Sequence, residues 1–286
     1  PLSRLLSDRK LAEPAVQALS ILRVPGTDRV ILKALGQPES LNTMTLLRAL
    51  GELRSQGAIG RISPYASSQD AEIREAALFA LASIGDPRAE FLLSRIDIAS
   101  SPRERASAAS RYLLFAQRLF ENGRKDDALR ICRNLLEKCT GPDESQVRSG
   151  ALTLLAQVLG KDALPALIEA MDSPDPAFRA RALDLALEIP GEEATDQWIA
   201  KARQVFPEAR EQIIRMLGRW ADRQALDFIK EGLKSDDKAI RIAAIEAVIR
   251  LGGEEVAIDL SPLWEKAEEE EAEALKKAFL SLPAER

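Results

Sequence analysis

A chain of 286 residues that is 46% hydrophobic can bury a continuous core, and its 5% aromatic content makes that core mostly Leu, Ala and Ile. A formal charge of -5 disfavours a dedicated nucleic-acid binder, which carries a basic stripe. The absence of histidine removes Ser-His-Asp and Cys-His catalysis, His-ligated zinc and imidazole general bases.

The organising signal is an arginine that returns every 31 residues at Arg148, Arg179, Arg210 and Arg241, with Arg74 and Arg105 spaced alike. A period in this range marks stacked supersecondary units. With the arginine as zero, offsets +3, +4, +7 and +10 are apolar, which is one stripe of an α-helix. In chain order, Ala12 heads the first copy with Ala15, Val16, Leu19 and Leu22, and Thr43 heads the second with Leu46, Leu47, Leu50 and Leu53. A short helix over residues 30–35 lies between them. Arg74 is followed by Ala77, Leu78, Leu81 and Ile84, and residues 89–96 form the next short helix.

The interval from Arg105 to Arg148 is 43, twelve more than the period. The extra residues follow Arg111 and lengthen the second helix of that unit, so that residues 112–138 read as helix, turn at Asn122-Gly123, helix. Such an insertion either bears function or changes the curvature of the array. The clock then resumes. Arg148 precedes Ala151, Leu152, Leu155 and Val158; Arg179 precedes Ala182, Leu183, Ala186 and Ile189. Arg210 is followed by Ile213, Ile214, Leu217 and Trp220, and Arg241 by Ala244, Ile245, Val248 and Leu251. Residues 164–171 and 226–233 are the intervening short helices. Ala272 heads the last copy, where Lys276 replaces a core residue and is expected to face solvent. Nine copies result, the terminal ones degenerate as caps.

Each copy is punctuated. Pro102, Pro174, Pro176 and Pro207 sit where a second helix begins. Asp70, Glu144, Asp175 and Asp237 lie four residues before their arginines, where the helix dipole favours anions. Gly85, Gly160, Gly191, Gly252 and Gly253 are expected C-caps.

The stretch Ser173 to Leu183, Ser-Pro-Asp-Pro-Ala-Phe-Arg-Ala-Arg-Ala-Leu, resembles a HEAT repeat, and the short period is most similar to the phycobilisome-lyase-like subclass. The 112–138 stretch partially resembles a tetratricopeptide helical pair. The resemblance covers essentially the whole chain. It implies an all-α fold, a right-handed α-α superhelix of about nine helical pairs, with residues 1–286 as a single solenoid and an irregular longer unit at 105–147. It also implies a ladder between repeats built from Arg74, Arg105, Arg148, Arg179, Arg210 and Arg241 with Asp70, Asp175 and Asp237. The Arg210 unit departs from that pattern, carrying Phe206 in place of the acid.

Offsets +5 and +9 fall off the core stripe and face outward, with charges of both signs. Among them Arg215, Arg219 and Arg250 form a cluster able to attract an acidic group, unless Glu211 and Glu246 neutralise it. Arg48 shares the outward series, and Phe79 and Leu114 flank one groove, where they either anchor a partner or cover a joint. Trp198, Trp220 and Trp264 read as packing residues, and Glu268 to Glu271 as a solvated run. Cys132 and Cys139, seven apart on a helix, are too distant for a disulfide and match no zinc or thioredoxin spacing. No run approaches 18 apolar residues, the length a membrane span requires.

The function expected is a non-catalytic scaffold or adaptor that holds a protein or peptide on the concave face of the solenoid, with no cofactor, no metal and no membrane partner. A nucleic-acid-binding or glycosylase-like HEAT protein and a bilin-lyase-like subunit are the alternatives; the missing histidines exclude the deoxyhypusine hydroxylase type. The chain opens on Pro1 rather than methionine, which is compatible with a segment of a larger chain. A soluble, cytoplasmic setting is favoured, with no compartment assigned.

Overall fold

The computed structural model describes residues 11–22, 24–35, 43–96 and 101–281. Among them every regular element is helical and none is a strand. The chain divides into two compact units, residues 1–158 and 159–286.

The first unit holds α1 (Ala12–Leu22), α2 (Thr27–Leu35), α3 (Thr43–Glu52), α4 (Ile59–Ile62), α5 (Ala71–Ile84), α6 (Glu90–Leu93), α7 (Pro102–Glu121), α8 (Lys125–Lys138) and α9 (Ser145–Leu159). The second holds α10 (Leu164–Glu169), α11 (Pro176–Ala186), α12 (Glu192–Ala202), α13 (Pro207–Trp220), α14 (Leu226–Gly232), α15 (Lys238–Gly252), α16 (Ala257–Leu260) and α17 (Glu269–Ser281). The second helices of the repeats stack on one another: α3 against α5 and α5 against α7 in the first unit, α13 against α15 and α15 against α17 in the second.

The apolar stripe drives this stacking. Leu47, Leu50, Leu81, Ile213, Leu217 and Val248 are fully buried, each contributing about 1.5–3 kcal/mol by leaving water. Lys276 is exposed, as expected of a terminal copy. Small residues let the stripes close up. A Cβ placed on Gly218 of α13 would lie 2.5 Å from the Ala247 Cβ of α15, so the two backbones meet there.

Helix starts follow the sequence. Pro102, Pro176 and Pro207 occupy first-turn positions, and Asp70 and Asp175 are N-caps whose carboxylates accept the N–H groups two and three residues on. Helix ends follow it less well. Gly85 closes α5 in the left-handed conformation at φ 69°, but Gly191 lies at the N-cap of α12 and Gly252 remains inside α15. Trp264 also departs from its packing role, being 49% exposed in a 3-10 turn with one edge contact to Phe279.

The twelve extra residues are shared between two helices. α7 runs for 20 residues against 14 in α5, and α8 for 14 against four in α6. The extension is tied back to its neighbours. Asn122 Nδ2 donates to the Gly85 carbonyl at 3.1 Å, and Tyr112 Oη donates to Glu90 Oε1 at 2.9 Å. Cys132 and Cys139 are buried free thiols, and burial pushes them up to about 12 and about 11.

The stretch Pro142–Asp172 is long and apolar enough by composition to cross a membrane, contrary to the expectation from single apolar runs. Its helical path is interrupted at Gly160 (φ 58°), and α9 has Ala151, Leu152, Leu154 and Leu155 buried within the fold.

Candidate functional site

The recurring arginines occupy two kinds of contact. The first is within the repeat. Arg74, Arg179 and Arg241 each donate from Nη1, at 2.8 Å, to the carbonyl of a serine six residues earlier, Ser68, Ser173 and Ser235. The same three serines accept, through Oγ, the N–H of Asp70, Asp175 and Asp237 at 3.2 Å. A Ser-x-Asp-x-x-x-Arg spacing therefore folds the approach to the second helix into one hydrogen-bonded turn. Sequence reasoning passed over these serines, although their spacing was there to read.

The second contact reaches the following repeat. Arg105 Nε donates to Glu144 Oε1 at 2.8 Å, Arg179 Nε to Gln212 Oε1 at 2.8 Å, and Arg241 Nε to Glu271 Oε1 at 2.6 Å. Glu144 stands at the expected acidic place. Gln212 and Glu271 do not, and Glu271 is 6% exposed rather than solvated. The Arg241 guanidinium beside Glu271 holds that carboxyl below the ordinary glutamate range. Phe206 stands where an acid was expected and serves as a platform, with the Arg179 guanidinium carbon 4.9 Å from its ring centroid. Arg210 lies over Phe228 at 5.6 Å. Arg148 is buried. Within the helices, no ion pair joins Asp70 to Arg74 or Asp237 to Arg241, because each carboxylate is turned to its own first-turn N–H groups.

The outward candidates fall into two places. In the second unit Arg215, Arg219 and Arg250 line one shallow cavity of about 170 Å³ with Glu246. Arg215 bonds both Glu211 and Glu246, and Arg219 lies 3.8 Å from Asp184, so most of this cluster's charge is already answered. In the first unit Arg48 on α3 and Phe79 on α5 are exposed at equivalent positions of stacked helices, Phe79 by 40%; Leu114 on α7 is half-buried.

A further concavity is one the sequence did not single out. A cavity of about 730 Å³ lies where the starts of α5 and α7 face the end of α6, lined by Arg74, Arg95, Arg103 and Arg111 with Glu75 and Glu104. Arg111 Nη1 donates to Glu75 Oε2 at 2.5 Å and to Ser107 Oγ at 2.7 Å. Burial outweighs the Glu75 attraction and lowers the Arg111 guanidinium from its ordinary value. No group of three His, Cys, Asp or Glu side chains able to hold a metal ion occurs among the described residues.

Stacked helix pairs with a recurring interrepeat arginine define an α-helical repeat protein. Residues 27–111 and 195–278 match the family model for HEAT repeats, more than half of the chain, and the protein belongs to that family. Among curated proteins none matches. Of solved structures, YibA of Escherichia coli is 19% identical, covering 93% of this chain and 96% of that one, with a TM-score of 0.45. Human deoxyhypusine hydroxylase in complex with glycerol is 19% identical over 97% of this chain and 93% of that one, TM-score 0.37. The CpcE–CpcF complex of phycocyanin lyase from a Nostoc species is 14% identical over 98% and 93%, TM-score 0.31.

Proposed function

We propose that this HEAT-repeat scaffold is a non-catalytic binder of a protein or peptide, held on the face lined by the arginine-bearing second helices. The observation that carries this reading is the α13–α15 surface, where Arg215, Arg219, Glu246 and Arg250 present both charges around an open, shallow cavity. A polar, mixed-charge face on rigid helices suits the rim of a protein interface, where charge pattern sets partner choice. The pairing of Arg215 with Glu211 and Glu246 supports a protein partner over a nucleic acid, which needs uncompensated cations along its phosphates. The bilin-lyase alternative has no residue-level support in this surface and is separated by a bilin titration.

A displayed peptide library selected on the intact protein tests the reading. Enriched peptides should lose binding to an Arg219→Glu, Arg250→Glu double variant that melts like the parent. Binding unchanged by that double reversal, or no enrichment, overturns it.

A further inference from the structure

The arginine ladder is not completed at every repeat: Arg210 Nε is buried without an acceptor among the described residues, whereas Arg74 stands beside an open cavity. Arg105, Arg179 and Arg241 each hand their Nε to an acceptor from the next repeat. Arg74 does not. Its guanidinium makes one bond, to the Ser68 carbonyl, and among the described residues no side chain accepts from its Nε. The place four residues before the following arginine, filled by Glu144 one repeat later, is here Ser101. At this gap the 730 Å³ cavity opens, and both Arg74 and Ser101 line it. Arg111 lines it too, and among the described residues its Nη1 alone is engaged, by Glu75 and Ser107. Among the described lining residues four arginines face two glutamates, an excess of two positive charges in that set, in a chain whose formal charge is -5.

We propose that this cavity binds a carboxylate on a short apolar stem, its oxygens bridging Arg74 and Arg111 in the rung position that Glu144 fills for Arg105. A planar guanidinium can pair two carboxylate oxygens side by side, and the rungs at Arg105 and Arg241 already place one carboxylate oxygen on Nε. Leu78, Leu92 and Leu93 give the stem an apolar wall. Glu75 and Glu104 at the same cavity penalise a dianion, which selects a carboxylate over a phosphate. The carboxylate comes either from a free acid or from an acidic side chain of a bound peptide. The site is independent of the α13–α15 face.

Titration of the intact protein with hexanoate, with N-acetyl-Leu-Glu-Leu-amide and with inorganic phosphate tests the site, read by calorimetry and by the methyl signals of Leu78, Leu92 and Leu93. At least one carboxylate should bind. Hexanoate binding more tightly marks a free acid as the source, and the peptide binding more tightly marks a side chain. Phosphate should bind at least about tenfold more weakly. Ser101→Asp keeps a capping side chain of the type already present at Asp70 and Asp175, and supplies the missing acceptor from within. It should leave the melting temperature undiminished and weaken carboxylate binding at least about tenfold, as should Arg74→Gln. Arg219→Glu with Arg250→Glu should leave binding here unchanged, which separates failure of this site from failure of the partner surface. The proposal is overturned by no carboxylate binding up to about 20 mM, by equal binding of phosphate, or by Ser101→Asp and Arg74→Gln binding like the parent.

Discussion

Arg179 and Phe206 meet across neighbouring repeats, guanidinium carbon over ring at 4.9 Å, while Arg179 Nε donates to Gln212 and Nη1 to the Ser173 carbonyl. An aromatic ring thus stands in for the acid of the ladder. The cation keeps two hydrogen bonds and a π-face in a place that is 4% exposed. A guanidinium tolerates such a site because its flat faces are weakly hydrated while its edges remain donors.

Arg179→Ala should therefore act on stability. It removes the stacking and leaves the Ser173 carbonyl and the Gln212 amide without their donor, a loss of about 2–4 kcal/mol. Arg179→Lys, with a point charge and no planar edge, should recover less than half of that. Urea denaturation with both variants measures it. A variant that melts like the parent yet loses a partner would show that Arg179 is a ligand contact instead of a rung.

The helical register was legible because burial repeats with the helix: Ala77, Leu81, Ala182, Leu217 and Val248 recur at fixed offsets and are all buried. The caps were legible at Asp70 and Asp175, where a short side chain and its own backbone decide the geometry. The acceptors across repeats were not. Gln212 and Glu271 are chosen by which side chain the next helix brings opposite Nε, and that depends on interhelix rotation. Glu271 in particular sits in a run of four glutamates that looks solvated along its whole length. The Arg74 cavity escaped for a related reason. It is defined by what Ser101 fails to supply and by the end of α6, neither of which has a periodic signature.

Gly85 is where the inserted segment meets the regular array. Its φ of 69° costs a side chain about 1–2 kcal/mol, and an added Cβ would come within 2.4 Å of the Arg118 Cβ on α7. Gly85→Ala should cost about 2–5 kcal/mol once overpacking is included. Gly123, at φ 80° with nothing within 4 Å, isolates the backbone term, so Gly123→Ala should cost only about 1–2 kcal/mol. Equal losses in the two variants would show that the α5–α7 contact yields without strain.

Cys132 and Cys139 should be silent in the native protein. Both are buried, and burial pushes the thiols up to about 12 and about 11, so the reactive thiolate is scarce at about pH 8. A disulfide reagent such as dithiobis-nitrobenzoate should label neither at a free-thiol rate, and both in denaturant. Labelling of the native protein should follow local opening, slowing when stability is raised. Fast native labelling of Cys139 alone would mean that the turn after α8 opens independently of the core.

Acid should loosen the inserted pair through Glu90. Its carboxylate accepts from Arg130 Nη1 and Nη2 at 2.6 and 2.9 Å and from Tyr112 Oη at 2.9 Å, so it joins α6 to α7 and α8. The Arg130 bonds outweigh burial and hold the carboxyl below its ordinary 4.5, while burial and Glu90 push the Tyr112 hydroxyl up and keep it a donor. A folded-state value below the unfolded one means that the protonated form is the one folding disfavours. The contribution is therefore complete above the ordinary value and is lost as the pH falls through the lowered one. Glu90→Gln should be less stable than the parent at about pH 7, with the gap narrowing as the pH drops towards about 3. Denaturation midpoints of the two proteins across that range check it. A gap that stayed constant, or widened on acidification, would show that Glu90 acts through packing and not through its charge.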